Sequence, residues 1–431
     1  MADYEMLRPA MLGGPQAVTL DVKAANRWPI LTEEDRSALM IVLEDGDLSC
    51  HPVTRQLEDD YRQFFGVRHA LAHSNGTAAL LAAFFALDLC PGDEVIVPSA
   101  THWASVIPML WVGAVPVFCE SEPERMGLDP EDLERKITPR ARAMVVVHLF
   151  GMPSKMTELL AIAGRHNLKV VEDASHALGA TWRGHKCGAL GDISALSLQT
   201  SKLAPAGEGG ILLTNNDEYF ERAVCLGDVE RIRVLETAAA RFAGTSFGIK
   251  TRLSPLSAAV GRVQLRHLPE RNAKRNENLL YLSEHLERFG FQTFLPPAHI
   301  QRVYFEYLIR YDVKRWGMPI EVLVEALAAE GCEVAWPRYP LLHQQPIFTE
   351  GHFARIARIE DGRAAYPCQA LPETEALSRE LLRLPTFPMA GVDLLDQYVQ
   401  AFEKVLWHAD KITAVAAERQ TVANKVQVSA F

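Results

Sequence analysis

The stretch ARAMVVVHLFGMPSKMTELLAIAGRHNLKVVEDAS, residues 141–175, decides the fold. ARAMVVVHLF (141–150) is an almost unbroken apolar run. KMTELLAIAGRHN (155–167) follows with helical spacing and a polar end, and LKVVEDAS (168–175) reads as a second strand. An apolar run without alternation suits a strand covered on both faces. Strand, helix and strand in that order predict parallel pairing through a crossover.

The same alternation extends upstream. HALAH (69–73) is a strand, and GTAALLAAFFALDL (76–89) a helix opened by Ser74, Asn75 and Gly76. PGDEVIVPS (91–99) turns into a strand, HWASVIPMLWVG (102–113) reads as a helix and AVPVFCE (114–120) as a strand. DPEDLERKI (129–137) is a helix whose acidic first turn suits the macrodipole. Downstream, ISALSL (193–198) and GGILLTN (209–215) are strands around a Gly-rich loop, and DEYFERAVCLGD (217–228) is a helix. A helical stretch from Ser254 to Gly290 leads into a second unit. There RVYFEYLIRYDV (302–313) and CEVAW (332–336) are expected as strands and PIEVLVEALAAEG (319–331) as a helix. Residues 337–375 read as a structured loop region, and the last twenty as a weakly amphipathic, partly disordered tail. The expectation is an α/β chain with a large domain over 1–270, including an N-terminal arm, and a smaller α+β domain over 271–431. Ligands of such sheets bind beyond the carboxyl ends of the strands.

Composition removes several function classes. Of 431 residues, 48% are hydrophobic, enough for a large core. The balance of 44 basic and 54 acidic side chains gives a net charge of −10, against a sequence-independent grip on nucleic acid. Seven cysteines with no CxxC speak against a disulfide framework or a zinc knuckle, and no metal is expected. MADYEMLRPAML (1–12) lacks the pattern of a signal peptide. The longest apolar stretch, AALLAAFFALDLC (78–90), is too short to cross a bilayer and carries Asp88. The chain therefore reads as cytoplasmic, with small molecules as its partners.

Three segments carry chemistry. VVEDASHALGA (170–180) ends an apolar strand on Glu172 and Asp173, at the functional edge of the sheet; alone, Asp173 is equally an N-cap. LSLQTSKLAPAGEGG (196–210) sets Lys202 between strand residues and three glycines. Most lysines are solvated surface charges, but one held in a desolvated pocket becomes a nucleophile. HSNGTAALLA (73–82) opens a helix with small residues, which is an anion site by geometry or simply a capped helix. Neither GxGxxG after the first strand nor GxxxxGK[ST] occurs.

Together the segments resemble the DegT/StrS-type sugar aminotransferases, fold-type I enzymes dependent on pyridoxal 5′-phosphate (PLP). SNGTAAL (74–80), GDEVIVPSATHWAS (92–105), VVEDASHALGA, GDISALSLQTSKLAPAGEGG (191–210) and PLSAAVGRVQL (255–265) carry the likeness in order. It implies a mostly parallel seven-stranded sheet and an enzyme that transfers amino groups. It implies Lys202 as the lysine that carries PLP and moves the proton, with Asp173 paired to the pyridinium nitrogen. Gly76 and Thr77 would bind the phosphate with help from Ser197. His176 would lie near the phenolic oxygen, and His102, beside Trp103, would stack on the ring. Glu208 would sit where donor and acceptor bind. The family often has G-x-N-x-R where a neighbouring subunit reaches the phosphate; here Gly248-Ile249-Lys250-Thr251-Arg252 puts Lys250 in place of Asn. This implies a homodimer with shared active sites.

VYFEYLIRYD (303–312) and WPRYPLLHQQPIF (336–348) look like the matching stretches of glutamine:scyllo-inosose aminotransferases. That likeness points to glutamine or glutamate as donor, a keto-cyclitol or keto-sugar as acceptor, and Tyr304 and Arg252 as substrate-side residues. Any single aromatic there is equally a core residue. Alternatives are an aromatising or dehydrating enzyme of the same family, an aminotransferase for a non-sugar carbonyl, and a PLP-binding regulator without turnover. Dehydratases of this kind carry His in place of the lysine, so Lys202 speaks against them.

Overall fold

A computed structural model of the chain describes residues 8–359 and 370–428. Residues 360–369 of the expected loop region and the last three of the tail lie outside the described residues. The seven strands of the main sheet are β1 (His69–His73), β2 (Glu94–Pro98), β3 (Val115–Cys119), β4 (Ala141–Val147), β5 (Lys169–Asp173), β6 (Ile193–Ser197) and β7 (Gly210–Thr214). Their order is β1-β7-β6-β5-β4-β2-β3. Pairing from β3 to β6 is parallel, and β7 runs antiparallel to both β1 and β6. The carboxyl ends of β1 to β6 therefore lie along one edge.

Side-chain alternation explains the two covered faces. Val95, Val97, Val145 and Val171 point to one side, against Ala79, Leu80, Ala83 and Phe84 of the helix Gly76–Ala86. Ile96, Val117, Met144, Val146 and Val170 point to the other, against Leu159 and Ile162 of the helix Met156–His166. Each such fully buried aliphatic side chain contributes about 1.5–3 kcal/mol.

The same alternation divides the two carboxylates that end β5. Glu172 turns away from Asp173 into a sealed interior, where it accepts from the N–H groups of Gly188, Leu190 and Gly191 and meets His148 Nε2 at 2.8 Å. Burial alone would raise its pKa, but His148 and these donors hold the carboxyl below its ordinary range. Glu172 thus ties the loop after Cys187 to β5, leaving Asp173 for the sheet edge.

A second core joins Leu279, Leu282 and Leu286 of the helix Pro255–Arg288 to Tyr307, Ile309, Leu323, Phe387 and Phe402. Met11, Ala17, Val18 and Val22 of the N-terminal segment pack into it. Its strands, Tyr307–Arg310 and Leu381–Leu384, pair antiparallel.

Four local expectations change. HWASVIPMLWVG forms a 3-10 turn at Trp103–Ser105 and one helical turn at Ile107–Leu110. Pro108 cannot donate to a preceding turn, so the helix starts beside it. CEVAW is not a strand and makes only the single bridge Ala335–Arg383, because Pro337 ends any ladder. The strand expected over 302–313 is confined to Tyr307–Arg310. The tail is helical over Ala409–Val428, where Ala, Lys, Glu and Gln favour a helix.

Candidate active site

Beyond the carboxyl ends of β1, β2, β5 and β6 lies a cavity of about 760 Å³. Asp173 reaches it from the last position of β5 and is only 5% exposed. Its Oδ2 accepts from Ser105 Oγ at 2.7 Å, and its Oδ1 accepts from the Ser175 N–H at 3.1 Å. Ser105 Oγ in turn lies 2.9 Å from Thr101 Oγ1. Two hydroxyls from the segment after β2 therefore aim the carboxylate.

Lys202 enters from the turn after β6. Its backbone carbonyl accepts from Trp28 Nε1 at 3.0 Å, and the Trp28 ring lies under the Arg275 guanidinium, 3.9 Å from its centroid. The Lys202 ammonium sits 4.2 Å from the centre of the Phe305 ring. Burial lowers its pKa to about 8; Asp173 opposes the shift and Arg338 adds to it. At pH 7.5 such an amine is neutral about 200 times more often than an ordinary lysine. In cofactor-free protein, acylation of Lys202 should therefore rise to half its maximum near pH 8, well before the other lysines, as read by peptide mass spectrometry. A Lys202 that titrates with the surface lysines would show that its amine is solvated.

The third side is the start of the helix Gly76–Ala86. Asn75 Oδ1 caps it by accepting from the Ala78 N–H at 2.8 Å. The first-turn N–H groups of Gly76 and Thr77 have no intrahelical acceptor and border the cavity, which suits an anion. Glycine is required at two points: a Cβ on Gly76 would lie 2.8 Å from Ser197 Cβ, and one on Gly210 would lie 2.3 Å from the Asn75 carbonyl oxygen.

An aromatic wall closes the remaining side. His176 stacks on Phe305 at 4.2 Å between centroids and lies nearly parallel to Phe150 and Tyr339. Its Nδ1 accepts from the Phe150 N–H at 3.4 Å, which leaves Nε2 to donate to Tyr339 Oη at 3.2 Å. Burial holds the imidazole well below its ordinary pKa, and hence neutral. Phe150 adopts φ +53°, a left-handed conformation unusual for a bulky residue, and so presents its N–H to His176. His102 is tilted against Trp103, which is 48% exposed.

Gly76, Thr77, His102, Asp173, His176, Ser197, Lys202 and Glu208 all line this cavity. Tyr304 does not. It is 1% exposed in the second core, edge-on to Tyr307 and under the Arg302 guanidinium. Lys250 is exposed outside the cavity, and Arg252 donates to Ser49 Oγ at 3.2 Å. Sequence reasoning missed Ser105, hidden in a segment read as a helix, and Thr101 just before that segment. It also missed Trp28, Phe150, Phe305, Arg338 and Tyr339; the only signal for the last three was the richness of their segments in aromatics and proline.

The chain matches known proteins along most of its length. The DegT/DnrJ/EryC1/StrS aminotransferase family matches residues 29–403. L-glutamine:2-deoxy-scyllo-inosose aminotransferase of Streptoalloteichus tenebrarius is 32% identical over 413 residues, covering 90% of this chain and 96% of that protein. GDP-perosamine synthase of Caulobacter vibrioides is 32% identical over 357 residues, covering 81% and 89%. The solved structure of the aminotransferase from Psychrobacter cryohalolentis matches with a TM-score of 0.78 at 27% identity, over 89% of this chain and 99% of its own.

Proposed function

The chain belongs to the DegT/DnrJ/EryC1/StrS aminotransferase family, and from that premise we propose that it moves an amino group from glutamine or glutamate to a keto-cyclitol or keto-sugar. The observation that carries the reading is the convergence of Lys202, Asp173 and the helix start at Gly76 on one cavity. The names of its relatives support the acceptor class, which spans a cyclitol ketone and a nucleotide-linked sugar.

PLP is the cofactor of this family, and the residues present fit it. Gly76, Thr77 and Ser197 would hold its phosphate, in a cradle that a side chain at position 76 would fill. Asp173, aimed by Ser105, would hold a proton at the ring nitrogen. His102 would lie on one face of the ring, and neutral His176 would border it. Bound PLP supplies an electron sink for charge that develops at the substrate carbon bearing nitrogen. Lys202 is suited to take the proton from that carbon of the amino donor and to deliver one to the former carbonyl carbon of the acceptor, because its lowered pKa lies near neutral pH. Phe305, against the Lys202 amine, and Tyr339, in the cavity wall, would shield that proton transfer from water.

Two copies are proposed to form the working enzyme, with Lys250 of each reaching the other's phosphate cup. Exposure of Lys250, Phe247 and Ile249 on one segment, with Met40, Ile41, Leu43 and Leu48 on another, supports this pairing. The free cysteines fit a reducing, cytoplasmic setting. Among the described residues, no helix is long and apolar enough to cross a membrane.

The test is a pair of half-reactions on protein saturated with PLP. Glutamine or glutamate alone should bleach the visible absorption of the bound cofactor, and a keto-cyclitol should restore it with formation of the aminocyclitol. Absence of bleaching with every amino acid tried would overturn the reading.

A further inference from the structure

Arg338 faces the cavity from the loop between Trp336 and Leu341, and the mechanism above does not use it. Its Nε lies 2.5 Å from Glu306 Oε1, and the same oxygen lies 3.3 Å from Arg383 Nη1. One carboxylate thus holds two guanidinium groups, of which only Arg338 borders the cavity. The Glu306 side chain is 3% exposed, whereas that of Arg338 is 42% exposed. Arg383 sits on Leu381–Leu384, whose pairing with the strand that follows Glu306 keeps its backbone beside that carboxylate. Arg338 sits on a loop and can. If it moves, Glu306 keeps Arg383 and is not left as an unpaired buried charge.

Arg338 and Lys202 share the Phe305 ring, 5.6 Å and 4.2 Å from its centroid. An α-amino acid carries its amine and carboxylate on one carbon, so with its amine where the Lys202 amine lies its carboxylate can reach toward Arg338 beside the same ring. The same cavity must also admit an uncharged polyol ketone. A permanently free arginine would then face that ketone with no carboxylate partner, while a permanent Arg338–Glu306 pair would leave fewer of the guanidinium N–H donors for a substrate carboxylate.

We propose that Arg338 binds the α-carboxylate of the amino donor by exchanging Glu306 for it, and that Glu306 takes Arg338 back when the polyol ketone occupies the cavity. This rests on the two-substrate reaction proposed above. An arginine–carboxylate bond is charge-assisted and bidentate, and its loss should cost about 30- to 100-fold in affinity.

The test measures the two half-reactions of the holoenzyme separately. Arg338→Gln should raise the apparent Kd for L-glutamine about 30- to 100-fold, while the acceptor half-reaction falls by a far smaller factor, about threefold. The α-methyl ester of glutamine should bind wild type and Arg338→Gln alike. Glu306→Gln should have opposite effects: tighter glutamine binding, because the internal competitor is gone, and a slower acceptor half-reaction. Structural damage would instead weaken both. α-Methylglutamine, which has no α-hydrogen to lose, gives a binding readout independent of turnover through the change it causes in the visible absorption of the bound cofactor, and it should lose the same factor in Arg338→Gln. Glutamine affinity within threefold of wild type in Arg338→Gln, or equal loss in both half-reactions, overturns the inference while leaving the proposed reaction standing. A wild type that reacts with no donor overturns the proposed reaction, and the α-methylglutamine titration then still decides the role of Arg338.

Discussion

Replacing Lys202 by Ala is expected to lower amino transfer by at least about 10⁴-fold in both half-reactions, because the variant loses a nucleophile and a positioned proton carrier at once. The phosphate cup at Gly76, Thr77 and Ser197 does not depend on the lysine, so the variant should still bind PLP, without the covalent link. Stability should move the other way. The Lys202 pKa is 10.5 in the unfolded reference and about 8 in the folded protein. Between these values the unfolded chain keeps a proton that the folded chain has lost, so stability rises with pH there. Below pH 8 both states are protonated and the full cost of the buried ammonium, about 3 kcal/mol, stands. Lys202→Ala removes that cost. Cofactor-free Lys202→Ala should therefore melt at or above cofactor-free wild type at pH 7, with the advantage shrinking toward pH 10. Rapid-mixing rates and thermal melts at two pH values check both signs. A variant that keeps more than about one hundredth of the wild-type rate would remove Lys202 from the centre of the chemistry.

What was legible in the sequence follows from which physical signals are periodic or local. The central strands announce themselves because both faces are covered, and Val145, Val146 and Val147 need no polar alternation. Asp173 and Lys202 are local signals too, one at a strand end and the other beside glycines. The small domain is different. In VYFEYLIRYD the sequence shows aromatics at 304, 305 and 307 but not which of them face the cavity. Phe305 lies under Lys202, while Tyr304 goes into the second core, and the strand that would set an alternation begins only at Tyr307. Register here depends on the partner strand Leu381–Leu384, more than seventy residues away. Arg338 lies in an aperiodic loop, and nothing local distinguishes it from a solvated arginine. Its meaning comes from Glu306 and Arg383, which only the fold brings to it.

Asp173→Asn is the sharper test of the electrostatics, because it changes charge and almost nothing else. Asp173 accepts two hydrogen bonds, from Ser105 Oγ and from the Ser175 N–H. An asparagine can keep the second with its carbonyl oxygen and donate from its amide to Ser105, whose hydroxyl then turns to donate to Thr101 Oγ1. The local structure is therefore preserved, and the variant should fold and bind PLP. What it lacks is a negative charge to hold a proton at the ring nitrogen. The electron sink weakens, and both half-reactions should fall by about 10³-fold, within the range expected for a positioned acid–base group. The two should fall together, because donor and acceptor use the same ring and the same proton. That parallel loss separates Asp173 from Arg338, whose replacement is expected to act chiefly on the donor side. Half-reaction rates measured with saturating glutamine and with saturating ketone make the comparison direct. If Asp173→Asn retains more than a tenth of either rate, the carboxylate is only a structural acceptor for Ser105 and Ser175, and the ring nitrogen must find its proton elsewhere.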